Sequence, residues 1–71
     1  MVDSALADRA LTALVHNPHL PHRTVKLETQ EGRVILRGVV RSFYQKQMAQ
    51  ESLRGVEGIH HIENQLQVNW S

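Results

Sequence analysis

The sequence predicts an α+β domain in which a helix, a β-hairpin, a second helix and a final strand give a three-stranded mixed sheet with both helices packed on one face. Three observations lead there. Residues 3–16 repeat apolar side chains at helical spacing, and residues 24–30 and 33–40 alternate with period two around Glu31-Gly32. Residues 59–70 alternate again after a stretch that opens on a serine–glutamine helix-start signal.

In the first helix Ala7, Ala10, Leu11 and Leu14 recur at i, i+3, i+4 and i+7, with Asp8, Arg9 and Thr12 on the opposite side. Asp3 or Ser4 is the expected N-cap. Asn17-Pro18 ends the helix, because the residue before a proline is pushed out of the α region. Residues 17–23, with Pro18 and Pro21, read as an extended loop.

A two-residue turn at Glu31-Gly32 sets Lys26 opposite Arg37, Leu27 opposite Leu36 and Thr29 opposite Val34. Val25, Leu27, Val34 and Leu36 then share the inner face, and Gly38 and Val40 continue it. A glycine inside a strand marks close approach of another backbone, and at Gly38 the expected neighbour is a helix.

Ser42-Phe43-Tyr44-Gln45 fits a capping box, so the second helix starts there. Its buried stripe is expected from Phe43, Ala49, Ser52, Leu53 and Val56, with Met48 at the margin. Gly55 and Gly58 supply left-handed positions for its end. The last strand carries Ile62, Leu66, Val68 and Trp70 inward and His61, Glu63, Gln65, Gln67 and Asn69 outward. Its distance from the second strand suits a helical crossover, and hence parallel pairing by a right-handed connection. Asn64 points inward, where a buried amide must be hydrogen-bonded, and is expected to tie the strand to a neighbouring backbone.

Taken together, Val25-x-Leu27, Gly32-x-Val34-x-Leu36-x-Gly38-x-Val40, Ser42, Ala49 and Val56-x-Gly58-Ile59-x-x-Ile62-x-Asn64-x-Leu66-x-Val68 resemble the BON domain of bacterial osmotic-shock and nodulation proteins. The resemblance spans nearly the whole chain. It implies an αββαβ fold, a bacterial origin and a role as an accessory module of envelope proteins that associates with phospholipid or membrane-linked partners. Its pattern consists of structural glycines and apolar positions, and no catalytic motif comes with it.

Composition sets further bounds. A chain of 71 residues has room for one core and no second domain, so residues 1–71 read as a single domain. The absence of cysteine excludes disulfides, thiolate metal sites and a cysteine nucleophile. A formal charge of +1 is far from the strongly basic balance of a dedicated nucleic-acid binder. No apolar run approaches the roughly 18 residues of a membrane span. Met1-Val2-Asp3 also lacks a secretory pattern, so the expectation is a soluble chain, or a periplasmic or envelope segment if cut from a processed precursor.

The sharpest candidate site is the outer sheet face. Arg33, Arg37 and Arg41 share it with Ile35 and Val39, and Lys26 stands opposite Arg37. Like charges directly across a ladder are unfavourable unless something anionic joins them, which points to a lipid phosphate or a protein carboxylate. Glu28 and Glu63 are the local competitors for those charges. Ile35 and Val39 alternatively mark a docking surface for another protein or a second copy. Gly32, Gly38, Ser42, Gly58 and Asn64 read as structural.

Other constellations point elsewhere and carry less. His16, His19 and His22 recur without accompanying carboxylates, and the adjacent His60 and His61 diverge, so no metal is expected. Gly55-Val56-Glu57-Gly58 matches the GxxG of single-strand nucleic-acid-binding KH domains, but a strand follows where that loop needs a helix, and the outer face offers no stacking aromatics. Asp3 and Asp8 fall on an outer helical face and Ser42 is occupied in a cap, so neither an enzyme nor a cofactor is expected. Trp70 and Tyr44 read as core caps or as interfacial anchors.

Overall fold

A computed structural model describes residues 4–18, 20–21 and 24–69. The elements follow the expected order: α1 (Ser4–Val15), β1 (Val25–Gln30), β2 (Arg33–Val40), α2 (Phe43–Leu53) and β3 (His61–Val68). β2 is the central strand, antiparallel to β1 and parallel to β3. The hairpin register is the expected one, with Lys26 opposite Arg37, Leu27 opposite Leu36 and Thr29 opposite Val34.

The turn that sets this register has left-handed backbone at both central residues, φ 51° at Glu31 and 82° at Gly32. That is the type I′ pattern, whose twist matches the strands it joins. Gly32 also receives the returning chain. Its carbonyl accepts the His60 N–H at 2.8 Å, and a Cβ there would run into the His60 ring. The crossover therefore docks on the hairpin turn as it enters β3.

One core lies between the helices and the sheet. Ala10 and Leu14 of α1, Ala49 and Leu53 of α2, and Val34, Leu36, Val40 and Leu66 of the sheet pack together with Leu20 from the loop. The two helices touch each other and the same sheet face. α1 is rotated from its expected phase: Leu6, Ala10 and Leu14 are buried, Ala7 is half-buried and Leu11 is 50% exposed. The helix is apolar around more than half its circumference, and the larger Leu6 wins the inward position over Ala7 because it removes more surface from water. Ser4 is already within the helix, and Asp3 lies outside the described residues.

In α2 the serine half of the expected cap forms, and the glutamine side chain reaches one residue further back than the capping box sets. The Ser42 hydroxyl accepts the Gln45 N–H at 3.1 Å, while the Gln45 amide oxygen reaches back to the Arg41 N–H at 2.7 Å. Phe43, expected in the buried stripe, is 63% exposed. It is the first residue of the helix, where the chain is still arriving from the rim of the sheet. Gly55 is a second correction: it does not take a left-handed conformation, and a Cβ there would meet nothing. The helix closes on Arg54, whose N–H bonds the Glu51 carbonyl, and Gly58 makes the left-handed bend at φ 97° beneath α1.

Gly38 corrects a third expectation. Its close neighbour is the entry to β1, not a helix. A Cβ at Gly38 would overlap the Thr24 carbonyl oxygen and come within 3.0 Å of its carbonyl carbon. Thr24 grips this point from both sides, accepting from the Val39 N–H at 3.3 Å and donating its hydroxyl to the Val39 carbonyl at 2.8 Å. Asn64 ties the layers together. Its amide donates to the Lys46 carbonyl of α2 at 2.9 Å, and its oxygen accepts the Leu66 N–H at 3.2 Å.

Candidate functional site

Because both helices use one side of the sheet, the other side faces solvent. The period-two alternation of the strands then sorts the side chains without further help. Lys26, Glu28 and Gln30 project outward from β1, and Arg33, Ile35, Arg37 and Val39 from β2. His61, Glu63, Gln65 and Gln67 project outward from β3. The register arranges them in rows: Gln30, Arg33, His61; then Glu28, Ile35, Glu63; then Lys26, Arg37, Gln65. Arg41 follows just past the end of β2 and is exposed.

The alternation thus brings Lys26, Arg33, Ile35, Arg37 and Val39 to one surface, whereas Arg41, expected there too, lines a separate depression with Pro18, Leu20, Pro21, Thr24 and Gln45, because the chain has left β2 and is turning into α2. Its charges are not equivalent. Arg37 pairs diagonally with Glu28 at 3.7 Å, and both side chains are more than half exposed. An ion pair so placed contributes about 0–1 kcal/mol and is readily exchanged for another partner. Lys26, Arg33 and Arg41 make no side-chain ion pair among the described residues. Glu63 faces the same surface and takes a hydrogen bond from the Gln65 amide at 2.7 Å.

The apolar members sit between these charges. Ile35 is half-buried by its neighbours and Val39 is 43% exposed. Beside Val39 a shallow depression of about 340 Å³ is lined by Arg37, Gly38, Val39, Gln65 and Gln67. The two glutamines were not singled out by sequence reasoning. Their signal was available, since both fall at outward positions of β3 next to Arg37 and Val39, but amides on a strand read as ordinary solvated positions.

The remaining candidates do not assemble. His16 turns its Nδ1 to the Thr12 carbonyl at 2.9 Å, while His19 and His22 lie outside the described residues. Among the described residues no group of three or more histidines and carboxylates is placed to hold a metal. Tyr44 is exposed on α2, and Trp70 lies outside the described residues. No helix among the described residues is long and apolar enough to cross a membrane.

A comparison with family models decides the assignment, because the BON domain model matches residues 2–69 of the 71. The chain belongs to the BON domain family. No curated protein matches it. BON membership suggests a bacterial envelope-related binding module, from a family of non-catalytic binding domains. The BON motif glycines now have physical roles: Gly32 closes the hairpin and receives the crossover, Gly38 admits the Thr24 backbone, and Gly58 fits against Leu6 and Arg9 of α1.

Proposed function

We propose that this BON domain is an accessory module that attaches to anionic phospholipid through its outer sheet face. The observation that carries the reading is the pair Lys26 and Arg33, which make no ion pair among the described residues, beside an exchangeable Arg37 on a face that no described element covers. A phosphate seated between Lys26 and Arg37, which are cross-strand partners, relieves their mutual repulsion. Each basic residue near an anionic surface contributes about 1 kcal/mol, so Lys26 and Arg33 give about 2 kcal/mol. Such binding is weak and reversible. Ile35 and Val39 add apolar contact at the level of the glycerol backbone.

Vesicle co-sedimentation tests this reading. Vesicles rich in anionic lipid should retain more protein than neutral vesicles, and the excess should vanish between about 50 mM and about 500 mM salt. Lys26→Glu combined with Arg37→Glu should abolish the excess while leaving the circular dichroism spectrum unchanged. Equal retention on anionic and neutral vesicles at low salt rejects headgroup binding and favours an acidic protein partner of the envelope.

A further inference from the structure

On the outer face Ile35 stands at the centre of a cross of charge. Glu28 and Glu63 flank it directly across the two ladders. Arg33 and Arg37 lie two residues before and after it along β2, on the same face. The acidic arms lie about 4.8 Å from the centre and the basic arms about 6.6 Å. From this arrangement we infer that the face accepts a second copy of this chain, sheet against sheet, with the strands crossing near a right angle and the two Ile35 side chains meeting at the centre.

Symmetry and charge select that crossing angle. A face-to-face pair of identical chains is related by a two-fold axis lying between the sheets. If the axis runs along β2 or straight across it, the strands stay aligned. Arginine then falls over arginine and glutamate over glutamate, which is repulsive throughout. If the axis bisects those directions, the strand direction of one copy lies over the cross-strand direction of the other. Each of Arg33 and Arg37 then sits over a glutamate of its partner, and the partner's arginines sit over Glu28 and Glu63. Sheets pack in both aligned and orthogonal arrangements, so the orthogonal one needs no unusual backbone.

The contacts within one copy do not block this. The Arg37–Glu28 pair is more than half exposed on both sides, and a guanidinium has donors left for a second carboxylate. Pairing through the free edge of β3 is less favoured, because the Leu66 N–H is already taken by Asn64. Three strands crossed on three strands overlap over only about 15 Å in each direction, at the small and transient end of protein interfaces. The dimer occupies the same face as the proposed headgroup contact, so each excludes the other.

The test is sedimentation equilibrium at low salt, without vesicles, on the whole chain. The wild type should show concentration-dependent dimerisation. R33E/R37E makes every arm acidic and should weaken self-association by about tenfold or more. The quadruple swap E28K/R33E/R37E/E63K restores opposite signs on the two arms and should dimerise like the wild type. Mixed with labelled wild type, the swap should not form the mixed dimer, because a right-angle crossing sets glutamate over glutamate and lysine over arginine. A wild type that stays monomeric throughout overturns the inference, as does a swap that prefers the wild type to itself, the signature of aligned strands. Either result leaves headgroup binding to be judged on the vesicle measurement alone.

Discussion

Gly38 is the position where one added methyl group should cost most. At φ 133° the backbone is in a region almost reserved for glycine, and forcing alanine into it costs about 1–3 kcal/mol. The new Cβ would also displace the Thr24 carbonyl, loosening the Val39 N–H bond at 3.3 Å and the Thr24 hydroxyl bond at 2.8 Å. At about 1 kcal/mol each, the two bonds bring the total to about 3–5 kcal/mol. Alanine returns about 0.5–1 kcal/mol by restricting the unfolded chain, leaving a net loss of about 2–4.5 kcal/mol for Gly38→Ala. A β-branched side chain is less able to take this φ, so Gly38→Val should cost more. A domain of this length is stable by only about 4–11 kcal/mol. The assay is urea unfolding followed by circular dichroism. With a slope near 1 kcal/mol per molar, the Gly38→Ala midpoint should fall by about 2–4.5 M at unchanged slope. A shift below about 0.5 M would refute the close approach of the β1 entry to Gly38.

The hairpin turn and the phase of α1 supply two further checks. Glu31→Asn should raise stability by about 0.5–1 kcal/mol, because Asn-Gly suits two left-handed turn positions better than Glu-Gly; an unchanged or lower urea midpoint would contradict the turn type. Leu6→Ala should cost about 2–5 kcal/mol whereas Leu11→Ala should cost under about 1 kcal/mol, and the reverse order would restore the helix phase that spacing alone suggests.

The difference between those leucines marks the limit of pattern reading. Residues 5–7, 10–11 and 13–15 are all apolar, so several rotations of α1 bury a comparable stripe. Only packing against Gly58, Val34 and the rest of the core chooses one of them. Phe43 misled for a related reason. Its size argues for burial, but burial at a helix's first residue depends on where the chain enters. Leu20 was missed because it lies between prolines, outside any periodic run, yet it is buried in the core.

The candidate face was more legible than the core. Strand alternation is binary, so once the two-residue turn sets the register, the outward positions of Lys26, Arg33, Ile35, Arg37 and Val39 follow. The partition of the charges did not follow, because a diagonal contact such as Arg37 with Glu28 depends on sheet twist and rotamers.

From sequence alone, then, came the element order, the hairpin register, the parallel return of β3 and the residues of the outer surface, all of which rest on local periodicity and turn chemistry. The tertiary structure alone decided the rotation of α1, the backbone that crowds Gly38, and which cations among the described residues pair with a carboxylate. Those depend on distances between segments far apart in the chain, where no local repeat constrains the outcome.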